Sequence, residues 1–300
     1  MKGITHIKSI HQLHQIVGLE PPKHPLFSIY RLEDINLINV QLPERMTYDF
    51  FSVGLKKNLE GFVKYGRVNY DFQEGAMGFT EPYQAMEFSS DLLNKATGWI
   101  LFFQKEFLNE SVLQNKIDQF RFFNYQTNEG LHLSKTEEKS LETIFNNIKT
   151  EYDQPIDSFS KQVVISNLEL LLTYSNRYYK RQFVIRNEVN SSIFSKFKDL
   201  LNAYFQEIDN RGLPTVELLA FQLHISANYL SDYLKATTGK SAIEHIHGKI
   251  IESAKSELLA SEKSIGEIAF QLGFEYPHYF SRLFKKKTGL TPTEFRIKSN

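Results

Sequence analysis

The feature that most limits how this chain can fold is a repeat in its last third. Ala-Phe-Gln-Leu occurs at 220–223 and again at 269–272. At an offset of 49 (269 − 220), Val216 meets Ile265, Leu219 meets Ile268 and Ile225 meets Phe274. One inserted residue later the offset is 50 (279 − 229). Tyr229 then meets Tyr279, Leu230 meets Phe280, Leu234 meets Phe284, and Thr238-Gly239 meets Thr288-Gly289. Apolar faces apolar throughout, which marks a duplicated structural unit.

Each copy reads as two short helices. Ser264 and Glu267 have the spacing of a capping box, and Thr215 opens the first copy. Gly273 supplies the turn in the second copy, and His224 takes that place in the first, near the left-handed region. The second helices follow at 227–237 and 277–287; Pro277 suits a first turn, and Gly239 and Gly289 end the helices. With a small Ala220 or Ala269 where the helices cross, each pair is expected to form a helix-turn-helix. The units span about 213–239 and 264–289. Residues 243–260 between them read as one helix about 27 Å long at about 1.5 Å per residue. Such a rod suits two recognition helices set about one DNA turn apart, ~34 Å.

Charge points to the same partner. From Tyr276 onward six basic residues (Arg282, Lys285, Lys286, Lys287, Arg296, Lys298) stand against one acid, Glu294. With Tyr279, Phe280, Leu283 and Phe284 turned inward, His278, Ser281, Arg282 and Lys285 are expected to face outward. Arg282 suits a bidentate bond to guanine, and His278 and Ser281 suit smaller donors or acceptors. Lys285, Lys286 and Lys287 are expected on phosphate, as are Lys235 and Ser264. In the first unit Asn228, Ser231 and Asp232 face outward. Asn228 matches adenine and Asp232 matches cytosine N4, although Asp232 also suits a place facing solvent or a basic neighbour.

The stretch SIGEIAFQLGFEYPHYFSRLFKKKTGLTPTEFR (264–296) resembles the signature of AraC/XylS-type transcription regulators. The resemblance covers about 193–298 and implies two helix-turn-helix subdomains, joined by a linker helix, that insert into adjacent major grooves. It implies base reading by Asn228, Ser231 and Asp232 and by His278, Ser281 and Arg282. Two positions depart from the family, which often carries Arg where Asp232 and Ile250 stand.

Residues 26–108 read as short aromatic and β-branched strands punctuated by Gly and Pro, the texture of a compact barrel or sandwich. VNYDFQEGAMGFTEPYQAMEF followed by GWILFFQKEF resembles the cupin-like sensor domains that precede such DNA-binding modules. That resemblance implies an effector site in the barrel and dimerisation through helices at about 136–180. The apolar stripe of the helix at 157–179 (Val164, Leu168, Leu171, Tyr178, widened by Val163, Leu170 and Tyr174) suits either intrachain packing or a second subunit. The expected fold is α+β: a cupin-like barrel with helices over 1–180, a linker at 181–192, and an all-α DNA-binding domain over 193–300.

Composition closes off other chemistry. No cysteine is present, which excludes thiolate zinc sites and cysteine nucleophiles. The rival reading is a metal-dependent cupin-type enzyme carrying a DNA-binding module. It needs several His on the strands, and 26–108 contains none. No catalytic, metal or cofactor residue is therefore assigned, and the chain is read as a non-enzyme. A ligand-independent DNA binder is the other alternative, and the effector-binding residues are unknown. The expected partners are double-stranded DNA, a small-molecule effector, a second copy of the chain, and RNA polymerase if the protein activates. The N-terminus lacks a secretory pattern and no apolar run is long enough to span a bilayer, so the expected location is the cytoplasm, away from the membrane.

Overall fold

The computed structural model describes residues 4–35, 43, 45–57, 64–65, 68–69, 75–87, 97–126, 129–189, 192–206 and 212–299. The chain divides into two compact units, Met1–Gln182 and Phe183–Asn300.

In the first unit a five-stranded antiparallel sheet has the order β10 (Leu131–His132), β7 (Ala76–Thr80), β4 (Phe51–Lys57), β9 (Thr97–Phe103), β2 (Phe27–Arg31). A second sheet pairs β1 (Thr5–Ile7), β3 (Arg45–Tyr48) and β8 (Met86–Glu87), and β5 (Lys64–Tyr65) pairs with β6 (Val68–Asn69). Among the described residues these strands do not close into a barrel. Much of the aromatic stretch from Gly61 to Phe72 lies outside the described residues.

Strand alternation gives the large sheet two different faces. Phe51, Val53 and Leu55 of β4 and Trp99, Leu101 and Phe103 of β9 are all buried on one face. Helix α2 (Lys135–Asp153) packs there: Trp99 stacks on Phe145 at 6.1 Å, and Lys57 Nζ lies 2.8 Å from both Glu138 and Glu142. The start of α2 is held by a capping box between Ser134 and Glu137. The other face turns toward β1, β3 and α1 (Ile10–Val17), where Tyr30 and Phe102 join Ile7, Leu13, Met46 and Tyr48 in one core. Neither α1 nor β1 was expected from the sequence as an element of this core.

Helix α3 runs from Ser160 to Val189. Residues 181–189, read from the sequence as linker, therefore continue a helix. Nothing in 181–189 breaks one, since neither Pro nor Gly occurs there. Along α3, Val164, Leu168, Leu171 and Tyr178 are buried, whereas Val163 and Leu170 stay exposed.

The second unit is all helical: α4 (Ser192–Gln206), α5 (Val216–Gln222), α6 (Ala227–Thr238), α7 (Ala242–Ala260), α8 (Ile265–Gln271), α9 (Pro277–Thr288) and α10 (Pro292–Ser299). The core of the unit forms along α7, which touches α4, α6, α8, α9 and α10. Its buried positions Ala242, Ile246, Ile250, Ala254 and Leu258 recur every four residues. Ile250, one of the two departures from the family pattern, is thus a core residue, 1% exposed. An Arg there would need a charge partner inside this stripe.

Candidate nucleic-acid interface

Both copies of the repeat fold as two short helices joined by a tight turn. Thr215 caps α5 by accepting from the Leu218 N–H, and Ser264 caps α8 by accepting from the Glu267 N–H. The turns differ as the residues require: His224 takes φ +57 and Gly273 takes φ +93. A side chain at Gly273 would also meet the Gly212 carbonyl oxygen at 2.4 Å, so glycine is required there twice over. Gly239 and Gly289, at φ +76 and +80, end α6 and α9 with their N–H groups donated to the carbonyls of Lys235 and Lys285.

The repeated tetrapeptide divides into two roles. Ala220, Ala269 and Leu272 are buried at the helix crossings, while Phe221 and Phe270 are 76% and 56% exposed. The alanines are scaffold, as close helix approach demands, and the phenylalanines are surface.

On α9, Phe280 and Phe284 are buried and Leu283 half-buried; His278, Arg282, Lys285, Lys286 and Lys287 are exposed, with Ser281 half-buried. Arg282, Leu283, Lys285 and Lys286 line an open depression of about 440 Å³. The inward placement of Tyr279 is corrected: it is 53% exposed, whereas its counterpart Tyr229 is 2% exposed. The cause lies outside the repeat. Phe183 packs edge-on against Tyr229 with ring centroids 5.0 Å apart. Tyr279 instead lies tilted against His278, ring centroids 4.1 Å apart, and edge-on to Tyr276, at 6.0 Å, forming an aromatic cluster at the start of α9. That cluster went unread because the repeat gives both tyrosines the same letter. No side chain caps α9, whereas Ser226 caps α6.

Two further residues change role. Arg296, counted in the basic run, donates through Nε to the Leu258 carbonyl and through Nη2 to the Lys263 carbonyl, tying α10 to the end of α7. Ser264 accepts the Glu267 N–H in its cap, and its hydroxyl also engages the Glu267 carboxylate. In the first unit Asn228, Ser231 and Asp232 are half-buried on α6, and Lys235 is exposed. Asn228 and Asp232 are each already engaged within the protein, so α6 offers a weaker set of free groups than α9.

Electrostatics link the two recognition helices through α7. The Glu244 carboxyl is held below its usual range, first by the Ser241 N–H and hydroxyl, then by the charges of Lys287 and Lys235. His247 is lowered by burial first and then by Lys287 and Lys286. The lysines of α9 therefore raise the local potential enough to be felt on α7. Among the described residues no group of three or more His, Asp or Glu is arranged to hold a metal ion, and no helix is long and apolar enough to cross a membrane.

Two helix-turn-helix units sharing one helical spine, one carrying a basic outward face, define a DNA-binding domain. A helix-turn-helix domain family model matches residues 219–298. The chain is similar to the HTH-type transcriptional regulator YfiF of Bacillus subtilis, with 24% identity over 265 residues that cover 83% of this chain and 77% of that one. It is 36% identical over 102 residues to the bifunctional transcriptional activator/DNA repair enzyme AdaA of the same organism, covering 34% of this chain and 48% of AdaA. The chain thus spans about half of AdaA, and the shared part is the DNA-binding region. The solved C-terminal domain of the response regulator YesN from Fusobacterium nucleatum is 35% identical and covers 33% of this chain and 96% of that one, with a TM-score of 0.30. The C-terminal domain belongs to the AraC type, and the chain is a DNA-binding transcriptional regulator.

Proposed function

We propose that the protein reads two adjacent major grooves, α9 through His278, Ser281 and Arg282, and α6 through Asn228, Ser231 and Asp232. Lys235, Ser264, Lys285, Lys286 and Lys287 grip phosphate. The observation that carries this reading is the pair of equivalent helices packed on one 19-residue spine, with matched turns and caps. Unequal charge assigns unequal work: α9 supplies most of the salt-dependent affinity, and α6 contributes register and discrimination.

The first unit serves as a sensor, its two facing sheets forming a cupin-like enclosure for a small molecule whose presence alters operator binding. Exposed Phe159, Val163 and Leu170 lie four and seven residues apart along or just before α3, a spacing that suits a second copy of the chain. RNA polymerase is a further partner if the protein activates, and the cytoplasm is where such a protein meets DNA.

Selection from random DNA with the full-length protein tests the reading, followed by salt titration of the selected site. Lys286→Ala should lower affinity on every sequence and reduce the slope of log K against log salt by about one unit. A loss confined to one sequence contradicts the phosphate role.

A further inference from the structure

The inner face of the five-stranded sheet contains an unusual patch. Gly54 of β4 lies directly opposite Gly78 of β7 and Ile100 of β9, and the next inward position, Lys56, lies opposite Ala76 and Gly98. Lys56 therefore rises from a floor in which every neighbour on its own and the two adjoining strands, other than Ile100, is no larger than alanine.

Among the described residues, packing accounts for one of these three glycines. Gly98 sits at φ +126, and a Cβ there would lie 2.1 Å from the Leu55 carbonyl oxygen. Gly54 would accept a Cβ in ordinary contact, 3.7 Å from the Trp99 carbonyl oxygen, and a Cβ on Gly78 meets no atom of the described residues within 4 Å. Neither of these two has a positive φ. Glycine inside a strand costs about 0.5–1 kcal/mol relative to alanine. Two of them paired across the ladder, without a steric reason among the described residues, mark a place kept clear for another group.

Lys56 is also unmatched. Among the described residues it is the single Lys or Arg at the inward positions of β2, β4, β7 and β9, and it forms no ion pair or hydrogen bond. Its neighbour Lys57, on the opposite face, holds two carboxylates at 2.8 Å. Burial pushes the Lys56 ammonium below its usual range, and among the described residues no protein partner makes good its lost hydration.

We propose that this face binds a small molecule bearing one carboxylate, which pairs with the Lys56 ammonium while the body of the molecule lies over Gly54 and Gly78 beside Ile100. The proposal rests on the reading of the first unit as a sensor and names the chemical class that sensor takes. One lysine matches a monoanion, and the apolar floor suits a hydrocarbon body.

The test uses full-length protein and thermal melting in the presence of butanoate, cyclohexanecarboxylate and indole-3-acetate, each beside its primary amide. At least one carboxylate is expected to raise the wild-type melting midpoint while its amide does not. Lys56→Arg keeps that shift, and Lys56→Met and Gly78→Leu lose it. Both of the latter variants should melt no lower than wild type without ligand, because among the described residues one removes a half-buried charge that has no partner and the other fills open space. The proposal is overturned if no carboxylate shifts the midpoint, if amide and carboxylate act alike, or if the shift survives Lys56→Met. Operator affinity measured with the stabilising carboxylate bears separately on the sensor reading: a ligand bound through Lys56 that leaves operator affinity unchanged removes the regulatory role and upholds the site.

Discussion

Replacing Arg282 with alanine isolates base reading from folding. The side chain is exposed, and among the described residues it forms no ion pair or hydrogen bond. Truncation should therefore change the stability of the second unit by less than about 0.5 kcal/mol. What it removes is a planar fork that presents two parallel donors to guanine O6 and N7. Such a pair contributes about 1–3 kcal/mol of discrimination, which corresponds to a Kd increase of roughly 5- to 140-fold at about 1.4 kcal/mol per decade. A pure loss of one charge predicts a different pattern, since it weakens binding on every sequence and lowers the salt slope. Fluorescence anisotropy on the selected operator, on single-base variants and on unrelated duplex separates the two. Arg282→Ala should bind the operator more weakly, relax preference at one base pair, and bind unrelated duplex with little further loss. Unchanged operator binding, or equal loss on all sequences, refutes the placement of Arg282 on a base edge.

Other perturbations follow from the same coordinates. Tyr229→Ala removes a buried ring beside Phe183 and should cost about 3–5 kcal/mol, whereas Tyr279→Ala should stay within about 0.5 kcal/mol. Chemical denaturation of the two variants checks this difference, and equal losses contradict it. Gly273→Ala puts a Cβ against the Gly212 carbonyl at a positive φ and should destabilise by at least about 1–2 kcal/mol; His224→Gly relieves a strained turn and should gain about 0.5–1 kcal/mol. The same denaturation curves test both. In the first unit, buried His14 bonds the Glu20 carbonyl through Nδ1 and the Ser28 hydroxyl through Nε2. A carbonyl only accepts, so Nδ1 carries the proton and Nε2 is the acceptor. Burial holds the His14 pKa below its usual value, so its contribution to stability is complete above about pH 6.5 and falls as the unfolded chain takes up a proton that the folded chain refuses. The melting midpoint should drop as the pH falls below about 6.5, and drop less in His14→Gln. His24, also lowered by burial, accounts for part of the remaining dependence. An identical drop in the variant contradicts the assignment.

The second unit was legible because its information is local and given twice. Caps, turn residues and the apolar stripe all fall inside the repeat, and the two copies check one another at His224 and Gly273. What the repeat could not show is what packs on it from outside. Tyr229 and Tyr279 share a letter and an alignment column, yet Phe183 buries one and leaves the other on the surface. Arg296 had the composition of a phosphate contact and instead ties two helices together. The same limit applies to the exposed Phe221 and Phe270, whose periodicity suits either side of a short helix. In the first unit the strand texture was legible, but the partition of faces was not. Lys56 and Lys57 look alike in sequence, and only strand register sends one to the carboxylates of α2 and the other to the inner face.

The central claim is that α6 and α9 occupy successive major grooves on one face of the duplex. Insertion of five base pairs between the two halves of the selected site rotates them to opposite faces, about half a turn of DNA. The measurement is the Kd of the full-length protein on the native and expanded sites. A rigid α7 spine predicts that affinity on the expanded site falls to the level of a single half-site, and that insertion of a full turn does not restore it. Unchanged affinity on the expanded site would contradict the account.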